Sequence, residues 1–215
     1  HVFKNSKFAS QLLTFVESSE WLRYPILVFL NRQVFLSLSL RGMPCLGGVR
    51  ESSSEDIRHR EPVVLNIYDL STSNDYTFPL GVGVFHSGVQ MYGREYAFLA
   101  INLSISGIFE IRPRNGQEEL GEHFRFRKSI LLGYTDFTCA EVKRVIYLLG
   151  LEFRGTSYHL TSKNCNHFSN CLALLVCGRK IPRWVNRLAY LITCVPFLER
   201  FVVARPTHYP QFSRF

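Results

Sequence analysis

The pattern of apolar and polar positions changes character partway along the chain. Between residues 62 and 132 the apolar residues come in short runs separated by turn formers. Val63-Val-Leu-Asn-Ile-Tyr68 is rich in β-branched and aromatic residues and predicts a strand, followed by a turn from Asp69 to Asp75. Gly81–Val89 predicts a second strand whose glycines allow close backbone approach. Arg94–Leu99, Gly107–Ile111 and Phe124–Leu132 predict three more, with Arg94 and Glu95 read as a structural ion pair or a surface feature. From residue 138 the period becomes helical. Thr138 and Glu141 fit a capping box, and Phe137 with Val142 occupy the positions of a hydrophobic staple. Val142, Val145, Ile146 and Leu149 then form an i, i+3, i+4, i+7 stripe that Gly150 is expected to stop. A second helix is expected from Cys165, with Phe168, Cys171, Leu172, Leu175 and Val176 on its apolar face and Gly178 at its end. A third opens at Pro182, runs through Ile192 and closes at Pro196.

A strand-rich half followed by a helix-rich half argues for one α+β domain, with expected bounds near residues 61 and 201. Residues 1–60 carry apolar patches without a clean period. They end in the polar run Glu51–Arg60, which cannot bury enough apolar area to order itself and reads as a linker. An N-terminal extension over 1–60 and a flexible tail over 202–215 are therefore expected.

Composition narrows the picture. With 215 residues, 47% of them hydrophobic, the chain has enough apolar material for a real core. The net charge of +8 invites a nucleic-acid reading, but its distribution does not. Seven Lys/Arg against one Glu lie beyond residue 178, eight against five lie in the first sixty, and the middle is close to neutral. Charge gathered at the ends reads as solvated surface, so no nucleic-acid partner is expected. The apolar stretch Pro25–Leu40 is broken by Asn31, Arg32 and Gln33 and does not make a convincing membrane span. No secretory leader is recognisable, and six scattered cysteines do not make a disulfide framework. Reduced thiols and a cytoplasmic, or also nuclear, location are expected, with the oligomeric state open.

Candidate chemistry concentrates in Tyr158-His-Leu-Thr-Ser-Lys-Asn-Cys-Asn-His-Phe-Ser169. Cys165 falls at the start of a helix, where free N–H groups and the positive end of the dipole favour the thiolate. The same N–H groups suit the oxyanion of a tetrahedral intermediate. A thiol nucleophile also needs an imidazole to take its proton. His159 precedes the helix and can fold back. His167 lies two residues further along it and points elsewhere. His86 sits on a predicted strand between Gly83 and Gly88. From the residues alone, none of the three is singled out. Asn164 and Asn166 are candidates for helix capping or substrate orientation. Tyr158, His159, His167 and Trp184 are candidate cleft neighbours. Cys165, His167, Cys171 and Cys177 do not form two compact pairs of ligands, so no metal or other cofactor is expected.

From about Pro62 to Phe201 the chain resembles the PPPDE, or DeSI, family of papain-like cysteine isopeptidases, and is most similar to its DeSI-2 branch. The resemblance rests on Val63-Val-Leu-Asn-Ile-Tyr-Asp69, Gly83-Val-Phe-His-Ser-Gly88, Tyr92-Gly-Arg-Glu-Tyr-Ala-Phe98 and Ser106-Gly-Ile-Phe-Glu-Ile111. Leu132-Gly-Tyr-Thr-Asp-Phe137, Lys163-Asn-Cys-Asn-His-Phe-Ser169 and Ile181-Pro-Arg-Trp-Val-Asn-Arg-Leu-Ala189 extend it. It implies a circularly permuted papain-like fold, an antiparallel sheet packed against helices, and a dyad in which His86 precedes Cys165. It further implies cleavage of isopeptide bonds to ubiquitin or SUMO, or protein S-depalmitoylation, through a thioester intermediate. Ubiquitin- or SUMO-modified proteins, or S-acylated ones, are the implied partners. The chain departs from the family pattern after Phe98, where Gly-Gly-His is replaced by Leu99-Ala-Ile-Asn-Leu-Ser-Ile-Ser106.

Overall fold

The computed structural model describes residues 60–194, and strand β1 (Glu61–Asp69) is the first element among them. It is buried on both faces because it lies inside a five-stranded sheet, flanked by β2 (Phe85–Met91) and β5 (Arg125–Thr135). Beyond β2 come β3 (Arg94–Phe98) and β4 (Ile108–Ile111), giving the order β4-β3-β2-β1-β5 with every pair antiparallel. Successive side chains on a strand alternate faces, and directly opposed residues share a face. The pairings Leu65↔Val89↔Tyr96 and Ile67↔Ser87 mark one face, and Tyr68↔His86 and Asn66↔Gly88 mark the other.

The helical elements are α1 (Asn74–Thr77), α2 (Gly116–Glu119), α3 (Cys139–Glu152), α4 (Cys165–Cys177) and α5 (Arg187–Cys194). Helix α4 packs across the Ser87 face. Phe168 meets Phe98 and Phe153, and Ser169 bonds Ser87. The fold is therefore α+β, with an antiparallel sheet packed against helices, and α4 is its central helix.

Local signals decided several elements. Helix α3 begins with both halves of the Thr138–Glu141 capping box, and α4 ends at Gly178 in the left-handed conformation. Other expectations need correction. The second strand begins at Phe85, because Gly81 closes a 3-10 turn over Phe78–Leu80 with φ of 75°. The segment after β1 contains the single helical turn α1, held by Asn74, whose side chain bonds Asp69 and both backbone groups of Val84. Gly150 does not stop α3. The helix continues to Glu152, and Gly150 provides the clearance for Ser106, whose Oγ would lie 2.8 Å from an added Cβ. The helix after Pro182 is split into a 3-10 turn (Arg183–Asn186) and α5. Arg94 and Glu95 do not pair, since neighbours on a strand face opposite ways. Arg94 pairs with Glu110, while Glu95 is fully buried. The expectations for residues 1–59, for the helix end at Pro196 and for the 202–215 tail lie outside the described residues.

Of the segment that departs from the family pattern, Leu99 enters the core, while residues 102–106 are exposed. Ile101 and Ile105 exchange backbone bonds with Gly155. Leu99 joins Ile111, Leu120, Phe109 and Phe124 in one apolar cluster.

Candidate functional site

Cys165 is the first residue of α4, and Asn164 is its N-cap. The Asn164 side-chain oxygen accepts from the His167 amide at 3.0 Å, and the His167 ring nitrogen Nδ1 accepts from the Asn164 amide at 3.2 Å. This is a capping box with histidine in the place usually held by Glu or Gln. It fixes His167 as part of the cap, turned away from the thiol. Asn186, which the sequence reading did not single out, ties the arrangement together. Its side-chain oxygen accepts from Asn164 at 2.9 Å and from Asn166 at 3.3 Å, and its amide lies 3.2 Å from His167 Nε2. Asn166 Nδ2 also donates to the Phe85 carbonyl at 3.1 Å, which clamps the helix start to β2. Nothing local in the sequence marks Asn186, because its partners are about twenty residues away.

The sulfur of Cys165 is buried. The Tyr158 hydroxyl donates to it at 3.8 Å, and the thiol faces the Phe85 carbonyl at 4.0 Å. The backbone N–H of Ser87 also reaches the sulfur. Burial pushes the thiol pKa up, and the opposing donors, Ser87, Tyr158 and Asn166, do not cancel it. The amides at the helix start pull the thiol toward its anion, as expected from its position, and desolvation outweighs them.

His86 lies on β2 between the two residues whose backbone touches the sulfur. Its ring leaves the strand on the opposite face, 6.0 Å from the Tyr68 ring and 5.0 Å edge-on to Phe124, centroid to centroid. No hydrogen bond joins His86 to Cys165, and His86 Nε2 is buried without a partner. Burial in this aromatic pocket lowers the imidazole pKa to about 3, so the ring is neutral across the physiological range. Phe124 belongs to the Leu99 cluster, which links the departing segment to the pocket around His86.

Beneath the same face, Glu95 accepts from the Tyr68 hydroxyl at 2.8 Å, Asn66 Nδ2 at 2.6 Å and the Arg114 amide at 2.9 Å. Burial raises its pKa against the pull of those donors.

The remaining candidates are spread apart. His159 is exposed, its Nδ1 bonded to Thr161 and its backbone paired with Lys163. Trp184 packs edge-on to Phe85 and Phe78, forming a wall beside the Phe85 end of β2. The five described cysteines are all free thiols, and no cluster of three or more His, Cys, Asp or Glu side chains that could hold a metal ion occurs among the described residues. No helix among them is long and apolar enough to cross a membrane.

Residues 61–205 match the model of the family described as "PPPDE putative peptidase domain". A desumoylating isopeptidase 1 homolog of Caenorhabditis elegans is 46% identical over 145 residues, covering 67% of this chain and 43% of that protein. A DeSI-like protein of Arabidopsis thaliana is 38% identical over 151 residues, covering 70% of this chain and 65% of that protein. Desumoylating isopeptidase 1 of Homo sapiens is 30% identical over 143 residues, covering 63% of this chain and 79% of that protein. The chain thus spans less than two thirds of the length of the nematode and plant relatives.

Proposed function

The chain belongs to the PPPDE peptidase-domain family, and from that membership we propose that it is a thiol isopeptidase that removes a ubiquitin-like modifier, SUMO in the first place, from protein lysines. The observation that carries the reading is the setting of Cys165. The thiol begins the central helix, and its sulfur touches the backbone of Phe85 and Ser87, the two neighbours of His86. SUMO is preferred because the nematode and human relatives are named for desumoylation. We also assign the chain to the DeSI-2 branch, on the motifs Gly83-Val-Phe-His-Ser-Gly88 and Tyr92-Gly-Arg-Glu-Tyr-Ala-Phe98, and to the cytoplasm.

In this mechanism the imidazole of His86 turns about its Cα–Cβ bond, from the Tyr68 pocket to the strand edge where the sulfur stands. Staggered rotamers make that a discrete step. Neutral imidazole then takes the thiol proton as the sulfur attacks the carbonyl carbon of the isopeptide bond. The C–S bond forms, the carbonyl electrons move to oxygen, and amide N–H groups at the start of α4 hold the oxyanion. Collapse breaks the C–N bond, and the proton on His86 passes to the departing lysine amine. Water, deprotonated by His86, then attacks the thioester and returns the free thiol. Both groups rest neutral, so ionisation is tied to the arrival of substrate.

The test is hydrolysis of SUMO and ubiquitin joined through an isopeptide bond to a fluorescent lysine peptide, run beside a palmitoyl thioester reporter. Cleavage of a modifier conjugate is expected, abolished in Cys165→Ala and reduced at least about 100-fold in His86→Ala. Turnover of the acyl reporter alone would move the assignment to an S-acyl thioesterase. A folded protein that turns over none of them contradicts the enzymatic reading.

A further inference from the structure

Tyr158 reaches the nucleophile through a closed turn. The 3-10 turn Gly155–Ser157 delivers its backbone, and its ring packs against Phe98 at 5.2 Å. Between it and Cys165, the backbone groups of His159 and Lys163 bond each other both ways, at 3.0 and 2.9 Å. Lys163 is anchored to Glu152 at the end of α3. This pinned loop returns the chain so that a phenol seven residues upstream points at Sγ of Cys165, at 3.8 Å.

We propose that the Tyr158 hydroxyl is a catalytic hydrogen-bond donor that stabilises the sulfur anion of Cys165; this rests on the reading of Cys165 as the nucleophile. In the resting state the thiol hydrogen is directed to the Phe85 carbonyl and the phenol donates to sulfur, so the bonds run in one direction. When the imidazole takes the thiol proton, the sulfur loses its donor role toward Phe85. It becomes an acceptor in a site closed to water, where an unmet charge is costly. Backbone amides of Ser87, Cys165 and Asn166 face it. Tyr158 supplies the one side-chain donor to that sulfur among the described residues.

The phenol is suited to the task because burial and the neighbouring thiol hold its pKa well above the ordinary value, so it keeps its proton throughout the working range. The groups that can titrate around the thiol are Tyr158 from the preceding turn and His86 from β2. Asp69, paired across β1 with Phe85, is tied to Arg127 and Asn74, and His167 on α4 is held by the cap.

Tyr158→Phe removes one oxygen and keeps the ring against Phe98. The measurement is the rate of iodoacetamide capture at Cys165 against pH, read by mass spectrometry of the Cys165 peptide, with thermal melting as the folding control. The expected result is an unchanged melt and a capture profile displaced upward by about one pH unit, so that capture near neutrality slows about tenfold. Incorporation of 3-fluorotyrosine at 158, a more acidic phenol, should restore capture to at least the parent rate. Coincident profiles for parent and Tyr158→Phe overturn the proposal. Where the closed pocket keeps iodoacetamide out of parent and variant alike, the comparison is read from isopeptide cleavage, whose kcat should fall about tenfold in Tyr158→Phe, and equal kcat values overturn the proposal. Full isopeptide cleavage by Cys165→Ala would instead overturn the nucleophile reading, a separate result.

Discussion

The sulfur of Cys165 and the imidazole of His86 are each held neutral by removal from water, the first with its pKa raised and the second with its pKa lowered to about 3. For His86 this has a direct consequence for stability. Between pH 3 and the ordinary histidine value near 6.5, the unfolded chain carries a proton at this site and the folded one does not. Stability therefore rises with pH across that window and falls as acid is added from about 6.5 downward. The expected contribution is about 2 kcal/mol lost between pH 7 and pH 5, at roughly 1.4 kcal/mol per pH unit below the unfolded value. Glu95 acts in the opposite sense, because its raised pKa makes the folded state bind the extra proton. Comparing the parent with His86→Phe cancels the Glu95 contribution. Urea denaturation at pH 7 and pH 5 should show the parent losing about 2 kcal/mol more than the variant over that step. Equal losses would mean that His86 is not held neutral in the fold.

At the scale of elements, the backbone signals were legible where they are local. The Thr138–Glu141 box and the Gly178 cap each depend on residues within one turn, and their sequence signatures carried over intact. Positions governed by a distant partner were not legible. Gly150 looked like a stop signal, but its absent side chain serves contact with Ser106, forty-four positions earlier. Glu95 looked like half of a local ion pair, but strand alternation sends it into the core among Tyr68, Asn66 and Arg114. The candidate site divides the same way. Cys165 at a helix start was readable from its flanks, whereas Asn186 and the sulfur-directed hydroxyl of Tyr158 depend on how loops close.

The glycine between β1 and β3 carries an element-scale prediction. A Cβ at Gly88 would lie 2.3 Å from Glu95 Oε1 and 2.8 Å from its Cγ, and three donors fix that carboxylate in place. Gly88→Ala should cost about 2 kcal/mol through overpacking of the face that holds His86. Differential scanning calorimetry should then show the melting temperature lower by about 6 °C. An unchanged melt would mean the Glu95 network is not rigid.

Across the whole molecule, the strand that carries His86 comes before the helix that carries Cys165. The sheet holds β2 between β3 and β1, and α4 crosses the Ser87 face with its first residue at the β2 backbone. The segment after Phe98, which departs from the family pattern, contributes Leu99 to the cluster around Phe124 and so helps to close the pocket in which His86 rests. The family resemblance singled out the two residues of the proposed dyad; it gave no sign that the imidazole rests on the far face of the strand, where alternation along β2 sends it between Tyr68 and Phe124.

The central claim, that Cys165 is the nucleophile toward a modifier's C-terminus and His86 its base, is tested most directly by covalent trapping. The protein is incubated with SUMO and with ubiquitin carrying a C-terminal electrophile, and the adduct is located by peptide mass spectrometry. A single modifier attached at Cys165 is expected, absent in Cys165→Ala and formed far more slowly in His86→Ala. An adduct on Cys139, Cys171, Cys177 or Cys194, or equal trapping with and without His86, would contradict it.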